Sequence, residues 1–183
     1  MNIVLETERI ILRQFIEDDV DKLVELNSDP DVVKFTSDAE HPQTYLETKA
    51  KVAKIINSYQ KYNGYGIWAA IEKSSQSFIG WFLFRPVIDA SYFDPNFADE
   101  DDIELGYRLK KIFWGQGYGT EVSQALINQG FSELGMKRVL AVAISANKAS
   151  IRVMEKVGLQ LEHKFIYQEN GQEVVIYALN KCS

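Results

Sequence analysis

One cysteine, Cys182, and two histidines, His41 and His163, are all that this 183-residue chain has of the residues that most often cross-link proteins or bind transition metals. A lone thiol cannot close an internal disulfide. Two imidazoles so far apart in sequence, with no supporting ligand pattern, argue for no metal site. No apolar run is long enough to cross a bilayer, and no apolar signal segment opens the chain. The expectation is a soluble protein in a reducing, cytoplasmic setting. Positive charge is also scarce, since 20 Lys and Arg against 26 Asp and Glu leave a formal charge of −6. That balance argues against a protein that grips nucleic acid by broad phosphate neutralisation. Repeats, low-complexity stretches and linkers are absent too, so residues 1–183 read as one domain with a substantial core.

Hydrophobic periodicity supplies the elements. Residues 8–13 alternate as a first strand. Asp18 and Asp19 suit the first turn of a helix carrying Val20, Leu23, Val24 and Leu26. Asp29-Pro30 starts afresh before Val32, Val33 and Phe35. Pro42 is expected to open a longer helix with Tyr45, Lys49, Val52, Ala53, Ile56 and Tyr59 on one face. Tyr65–Ile71 and Phe78–Phe84 read as neighbouring antiparallel strands. The stretch Pro86–Asp102 reads as a long loop, with Asp89, Asp94, Asp99, Glu100, Asp101 and Asp102 among Tyr92, Phe93 and Phe97. It has two readings: an attractor for a cationic substrate, or a solvated acidic insertion. Further on, a helix of about four turns places Ser123, Leu126, Ile127, Gly130, Phe131 and Leu134 together and ends at Gly135. Val139–Ile144 is a buried strand, a short helix runs from Lys148 to Val157, and Gly158 stops it. Leu161–Tyr167 and Glu173–Leu179 flank Asn170-Gly171, a strong hairpin signal.

The most informative stretch is Ile103–Thr120, which runs from an alternating strand into a glycine-rich turn that opens a helix. Ile103, Leu105, Tyr107 and Leu109 face one way; Glu104, Gly106, Arg108 and Lys110 face the other. Gly115, Gly117 and Gly119 leave backbone N–H groups uncovered at the positive end of a helix dipole, an arrangement suited to a phosphate or pyrophosphate. A turn that merely needs glycine's freedom has the same look. The Walker pattern is missing, because no Gly-Lys-Ser/Thr follows. The dinucleotide fingerprint fails on the spacing of its third glycine.

Strand, glycine turn and helix together resemble the acyl-CoA-binding core of the GNAT N-acetyltransferases. Glu6-Thr7-Glu8-Arg9-Ile10-Ile11-Leu12-Arg13 is similar to the first strand of the RimJ/RimL-type branch, which acetylates ribosomal-protein N-termini. Glu104-Leu105-Gly106-Tyr107 and Trp114-Gly115-Gln116-Gly117-Tyr118-Gly119-Thr120-Glu121 resemble that branch's central signature. Asn147-Lys148-Ala149-Ser150 and Met154-Glu155-Lys156-Val157-Gly158-Leu159 look like its second cofactor motif. The resemblance implies an α/β (α+β) GNAT-like acyl-CoA N-acyltransferase fold, with a mixed, mostly antiparallel central sheet flanked by helices. It also implies an enzyme that uses acetyl-CoA as co-substrate, with no metal.

Acetyl transfer to an amine requires that the amine lose a proton, that the thioester oxygen be supported and that the departing thiolate gain a proton. By the resemblance, backbone at Leu109, Lys110 and Lys111 meets the pantetheine arm and the thioester oxygen. The backbone of Gly115, Gln116, Gly117, Tyr118, Gly119 and Thr120 takes the pyrophosphate. Asn147 bonds the pantetheine amides, and Ser150 contacts the coenzyme and protonates the leaving sulfur. Asn147 and Ser150 also suit a plain helix cap. Lys110 and Lys111 are either phosphate ligands or solvated charges. Glu104 is either the general base, directly or through water, or the partner of Arg108 on the same strand face; Glu169 is a weaker base candidate. Two departures from the family stand out. Trp114 occupies a slot where many members carry Arg or Gln, and is expected to stack on the core. Met154 stands where many carry a proton-donating Tyr, and is expected to pack. No cysteine lies in a motif, so the expected reaction is direct attack by a primary amine in a ternary complex. The acceptor is a ribosomal-protein or other peptide N-terminus, or else a polyamine or aminoglycoside. A noncatalytic acyl-CoA-binding module is the rival class. Neither membrane nor direct nucleic-acid binding is expected, and a homodimer stays open.

Overall fold

The computed structural model describes residues 2–90, 93–167 and 171–181. In chain order the elements are β1 (Ile3–Glu6), β2 (Ile10–Gln14), α1 (Val20–Ser28), α2 (Pro30–Val33), α3 (Tyr45–Ser58), β3 (Gly66–Glu72), β4 (Phe78–Pro86), β5 (Ile103–Leu109), α4 (Tyr118–Ser132), β6 (Arg138–Ile144), α5 (Lys148–Lys156), β7 (Gln160–Ile166) and β8 (Glu173–Asn180). The strands form an eight-stranded sheet in the order β1-β2-β3-β4-β5-β6-β8-β7. Antiparallel ladders join β1 to β2, β2 to β3, β6 to β8 and β7 to β8, while β5 and β6 are parallel. This is the mixed, mostly antiparallel sheet that was expected. The chain packs as two compact units, Met1–Leu83 with Tyr107–Tyr118, and Phe84–Gly106 with Gly119–Ser183.

In the first unit α1 and α3 cover the sheet. Val20, Leu23 and Leu26 from α1 and Val52 and Ile55 from α3 share one core with Phe15, Ala69, Ile71 and Phe78. The entry to α1 is set by a buried charge pair. Asp19 accepts from Arg13 Nη1 at 2.5 Å and Nη2 at 2.8 Å, from Lys22 Nζ at 2.9 Å and from the Ile16 N–H at 3.1 Å. Four donors on one fully buried carboxylate satisfy the group that burial would otherwise penalise. α3 begins later than expected, and Pro42 does not open it. Thr44 caps it, with the Glu47 N–H bonded to the Thr44 hydroxyl at 3.3 Å and the Thr44 N–H bonded to the Glu47 carboxylate at 2.8 Å. That reciprocal box satisfies donors that a proline cannot help with. The buried face is therefore Thr48, Val52 and Ile55, with Tyr45 half exposed. β1 precedes the expected first strand and was not foreseen.

In the second unit Val122, Ser123, Leu126, Ile127 and Gly130 form the buried side of α4. A Cβ at Gly130 would stand 2.8 Å from Phe84 Cζ and from Met136 Cε, so only glycine fits there. Gly135, at φ +70°, ends the helix as expected. β6 pairs with β8 from Arg138↔Asn180 to Ile144↔Val174, while its parallel ladder to β5 covers only Ile103↔Val139 and Glu104↔Leu140. The expected β7–β8 hairpin is present; Asn170 of its turn and the candidate Glu169 lie outside the described residues, as do Tyr92 and Cys182.

The stretch after β4 is acidic and exposed at Asp99, Glu100 and Asp101, but its apolar residues and Asp102 are packed, which neither reading included. Val87 and Ala90 are buried with Leu140, Ile176 and Ala178, and Phe93 and Phe97 pack against them. Phe97 stacks on Phe165 with centroids 4.9 Å apart. Asp102, 4% exposed, pairs with Arg138, which also holds Glu162. Aromatic anchors and a buried ion pair make this stretch part of the core's cover. They were unreadable from sequence because their partners sit on β6, β7 and β8.

Burial raises the Asp19 carboxyl, but the bonds from Arg13, Lys22 and the Ile16 N–H outweigh it and hold the group below its ordinary 3.8. A lowered folded-state pKa adds stability that is complete above the unfolded value and is lost as pH falls through the folded one. Asp19→Asn is predicted to cost about 3 kcal/mol near neutrality by stranding buried Arg13. Urea unfolding should show the gap between variant and parent steady above 3.8 and narrowing below it; a pH-independent gap would refute the assignment.

Candidate active site

The backbone at the end of β5 is shaped by a glycine on its neighbour. Gly80 of β4 has φ +147°, and a Cβ there would lie 2.0 Å from the Arg108 carbonyl oxygen and 2.8 Å from Leu109 Cα. This close approach accompanies a bond from the Lys110 N–H to the Ile79 carbonyl at 2.8 Å. The Lys110 N–H, expected to meet the pantetheine arm, is thus already committed to β4. The side chains are committed as well. Lys110 Nζ pairs with Glu25 of α1 at 2.7 Å, and Lys111 Nζ with Asp31 of α2 at 2.6 Å. Neither of the two readings for these lysines included such a pairing: each ammonium is engaged with a neighbouring carboxylate.

The chain then makes one tight turn, with Phe113 N bonded to the Lys110 carbonyl at 2.9 Å, before the glycines. Trp114 does not stack on the core. It is 45% exposed, and its indole N–H donates to the Leu109 carbonyl at 2.8 Å, so it braces the turn from outside. Gly115 and Gly117 have φ +73° and +84°, the left-handed region that side chains disfavour. Open space surrounds the position of a Cβ on Gly115, and both glycines are exposed. α4 starts at Tyr118 directly afterwards, and its first N–H groups have no carbonyl one turn earlier in the helix. An open, left-handed backbone turn at the positive end of a fifteen-residue helix fits a pyrophosphate-bearing acyl carrier.

Arg9, just before β2, joins this turn although it was noted only as part of a strand. Its Nη1 donates to the Gln116 carbonyl at 2.9 Å, and its guanidinium lies 4.4 Å from the centroid of the Tyr118 ring. No local pattern reveals a partner 107 residues away. One of the two readings for Glu104 paired it with Arg108; in the first unit Arg108 bonds Asn27 at 2.5 Å and Asp38 at 2.7 Å. Tyr107 stacks on Phe82, as a packing aromatic should.

The remaining candidates belong to the second unit. Glu104 is nearly buried and accepts from Arg85 Nε at 3.0 Å. Gly119 and Thr120 continue the first turn of α4. Asn147 is the N-cap of α5, and its Oδ1 accepts from the Ser150 N–H at 3.2 Å, so the structure brings these two predicted residues together. Met154 packs at 5% exposure. Among the described residues no group of three His, Cys, Asp or Glu is placed to hold a metal ion, and no helix is long and apolar enough to cross a membrane.

The family model for the "Acetyltransferase (GNAT) domain" matches residues 9–160. The chain belongs to the GNAT acetyltransferase family. It is an acetyl-CoA-dependent N-acetyltransferase of that type. Over 155 residues it is 29% identical to the FsC-acetyl coenzyme A-N(2)-transacetylase of Aspergillus fumigatus, with 85% of the chain matched. It spans 64% of that protein's length. The crystal structure of a GNAT-family acetyltransferase from Bacillus anthracis superposes with a TM-score of 0.79 at 26% identity, covering 98% of each chain. The ribosomal L7/L12 alpha-N-protein acetyltransferase RimL, solved with coenzyme A, shares the fold with a TM-score of 0.76 at 22% identity, again over 98% of each chain.

Gly80→Ala should be among the most damaging small substitutions in this acetyltransferase, because the added methyl meets backbone rather than a yielding side chain. The expected loss is about 3 kcal/mol, combining overpacking with backbone strain. Denaturant unfolding checks it, and a loss below about 1 kcal/mol, the level of an ordinary substitution, would show that β4 and β5 can separate freely.

Proposed function

We propose that this acetyltransferase, a single functional domain over residues 1–183, moves the acetyl group of acetyl-CoA to a primary amine by direct attack in a ternary complex. The observation that carries the coenzyme site is the open left-handed turn at Gly115 and Gly117, set at the start of α4 in a chain that matches the family from residue 9 to 160. The backbone of Gly115–Thr120 receives the pyrophosphate, while Leu109 and Lys111 flank the pantetheine arm. Lys110 contributes through the position of its chain, because its N–H and ammonium already have partners.

In the reaction the amine nitrogen forms a bond to the thioester carbonyl carbon and the carbon–sulfur bond breaks. The amine's proton passes to Glu104, directly or through water, and the leaving sulfur takes a proton from the Ser150 hydroxyl. Exchange with water then returns a proton to Ser150 and removes the one on Glu104. Arg85 orients the Glu104 carboxylate, and the Asn147 cap sets the backbone of Ser150. Removing a general base or acid of this kind typically costs about 10²–10⁴-fold in rate.

The acceptor we favour is a protein or peptide N-terminus, as in the RimJ/RimL-type branch, in a cytoplasmic enzyme. The support is the set of branch-like motifs together with the fold shared with RimL. A small-molecule amine is the second reading, favoured by the relative named as an N(2)-transacetylase.

Isothermal titration with acetyl-CoA and CoA, with NADPH as comparator, is the first test. Saturable binding of both CoA species alone is expected; no binding by the folded protein would remove the coenzyme site. Glu104→Gln and Ser150→Ala should each lower kcat by at least about tenfold while leaving the acetyl-CoA Kd within about twofold. Unchanged rates in both variants would overturn the catalytic roles. A panel of N-terminal peptides against polyamines and aminoglycosides then separates the two acceptor readings.

A further inference from the structure

We propose that Arg9 is a positioning residue of the coenzyme site: its guanidinium fixes the glycine turn in the form that receives the pyrophosphate. The inference rests on the coenzyme-site reading above and assigns that site a residue from outside its motif.

Two contacts from Arg9 converge on the turn, and its guanidinium also lies beside Gly117. Arg9 Nη1 donates to the Gln116 carbonyl at 2.9 Å, and Arg9 Cζ sits over the Tyr118 ring, 4.4 Å from its centroid. Arg9 Nη2 stands 3.4 Å from where a Cβ on Gly117 would be. Tyr118 is itself held, 7% exposed, with the Phe113 ring edge-on at 6.1 Å. Arg9 is anchored in turn: its carbonyl accepts from the Lys73 N–H at 2.8 Å, and Ile10 beside it pairs with Glu72 in the β2–β3 ladder. A post fixed in the sheet therefore reaches a turn built from residues with unusual freedom.

Peptide geometry gives the contact its consequence. The Gln116 carbonyl and the Gly117 N–H belong to one planar trans peptide, and they point in opposite directions. Pinning the carbonyl toward Arg9 aims the Gly117 N–H away from it. Without that bond, glycine at 115 and 117 lets the peptide plane rotate at little cost, and the donor loses its direction. The cation–π contact with Tyr118 limits the remaining swing of the guanidinium. Lysine cannot substitute fully, because an ammonium that bonds the carbonyl cannot also lay a flat face on the ring. The positive charge left beside the turn also favours an approaching anion.

The test compares the full chain with Arg9→Ala and Arg9→Lys, using two donors: acetyl-CoA, and S-acetylpantetheine, which lacks the pyrophosphate. Titration gives Kd for each pair. Arg9→Ala should weaken acetyl-CoA about tenfold, the scale of one charge-assisted hydrogen bond. Arg9→Lys should recover part of that loss, and S-acetylpantetheine should bind all three proteins alike. If Arg9→Ala does not fold, Arg9→Lys carries the comparison. An unchanged acetyl-CoA Kd in the variants overturns the inference, as does an equal penalty for both donors, which would mark Arg9 as a general structural residue. Failure of the wild type to bind acetyl-CoA would instead remove the coenzyme-site reading and this inference with it.

Discussion

The close approach of β4 to the end of β5 is the constraint on which the rest of this site depends. Gly80 leaves no room for a side chain against the Arg108 carbonyl, and the Lys110 N–H then bonds back to Ile79. That pair of contacts decides where β5 stops. The tight turn through Phe113, the brace from Trp114 to the Leu109 carbonyl and the left-handed glycines all follow from that stopping point. A backbone that must present unsatisfied N–H groups to a ligand needs a rigid support, because loose donors would find water or one another. Here the support is backbone against backbone, which deforms less than side-chain packing.

The acidic composition has a structural use that a charge count does not show. Asp19 gathers Arg13, Lys22 and a backbone N–H; Asp102 binds Arg138; Asp38 and Asn27 hold Arg108; Glu104 takes Arg85. Arginine recurs because its several fixed N–H donors can reach more than one acceptor: Arg13 grips Asp19 with both Nη atoms, Arg138 joins Asp102 to Glu162, and Arg108 joins Asn27 to Asp38. A half-buried charge with a full set of partners is tolerable, while the same charge alone would be costly. Of the acids between Pro86 and Ile103, Asp102 helps close the second unit through Arg138, beside the apolar cluster of Val87, Ala90, Phe93 and Phe97.

Where sequence reading succeeded and failed follows from the range of the interaction responsible. The face of α4 was legible because Ser123, Leu126, Ile127 and Gly130 recur at helical spacing and meet a continuous core. The start of α3 was misread at Pro42 because proline announces only a permitted geometry, whereas Thr44 and Glu47 supply bonds. Trp114 was expected to stack on the core, yet its indole N–H bonds the Leu109 carbonyl and the ring stays at the surface. The partner of Glu104 was sought four residues along its own strand and came instead from Arg85 on β4.

The sequence by itself determined most of the element types after β1, the family resemblance and the position of the glycine turn, because periodicity, capping residues and glycine placement act over a few neighbouring residues. Met154 packs as the sequence reading expected, and Asn147 caps α5 beside Ser150, which was the alternative to the coenzyme contact read there. Only the tertiary structure decided which charges meet, which backbone donors are already taken, and that Arg9 stands over Tyr118 at the glycine turn. Those contacts join residues separated by tens of positions, and no local propensity selects one distant partner over another; the packing of the sheet does.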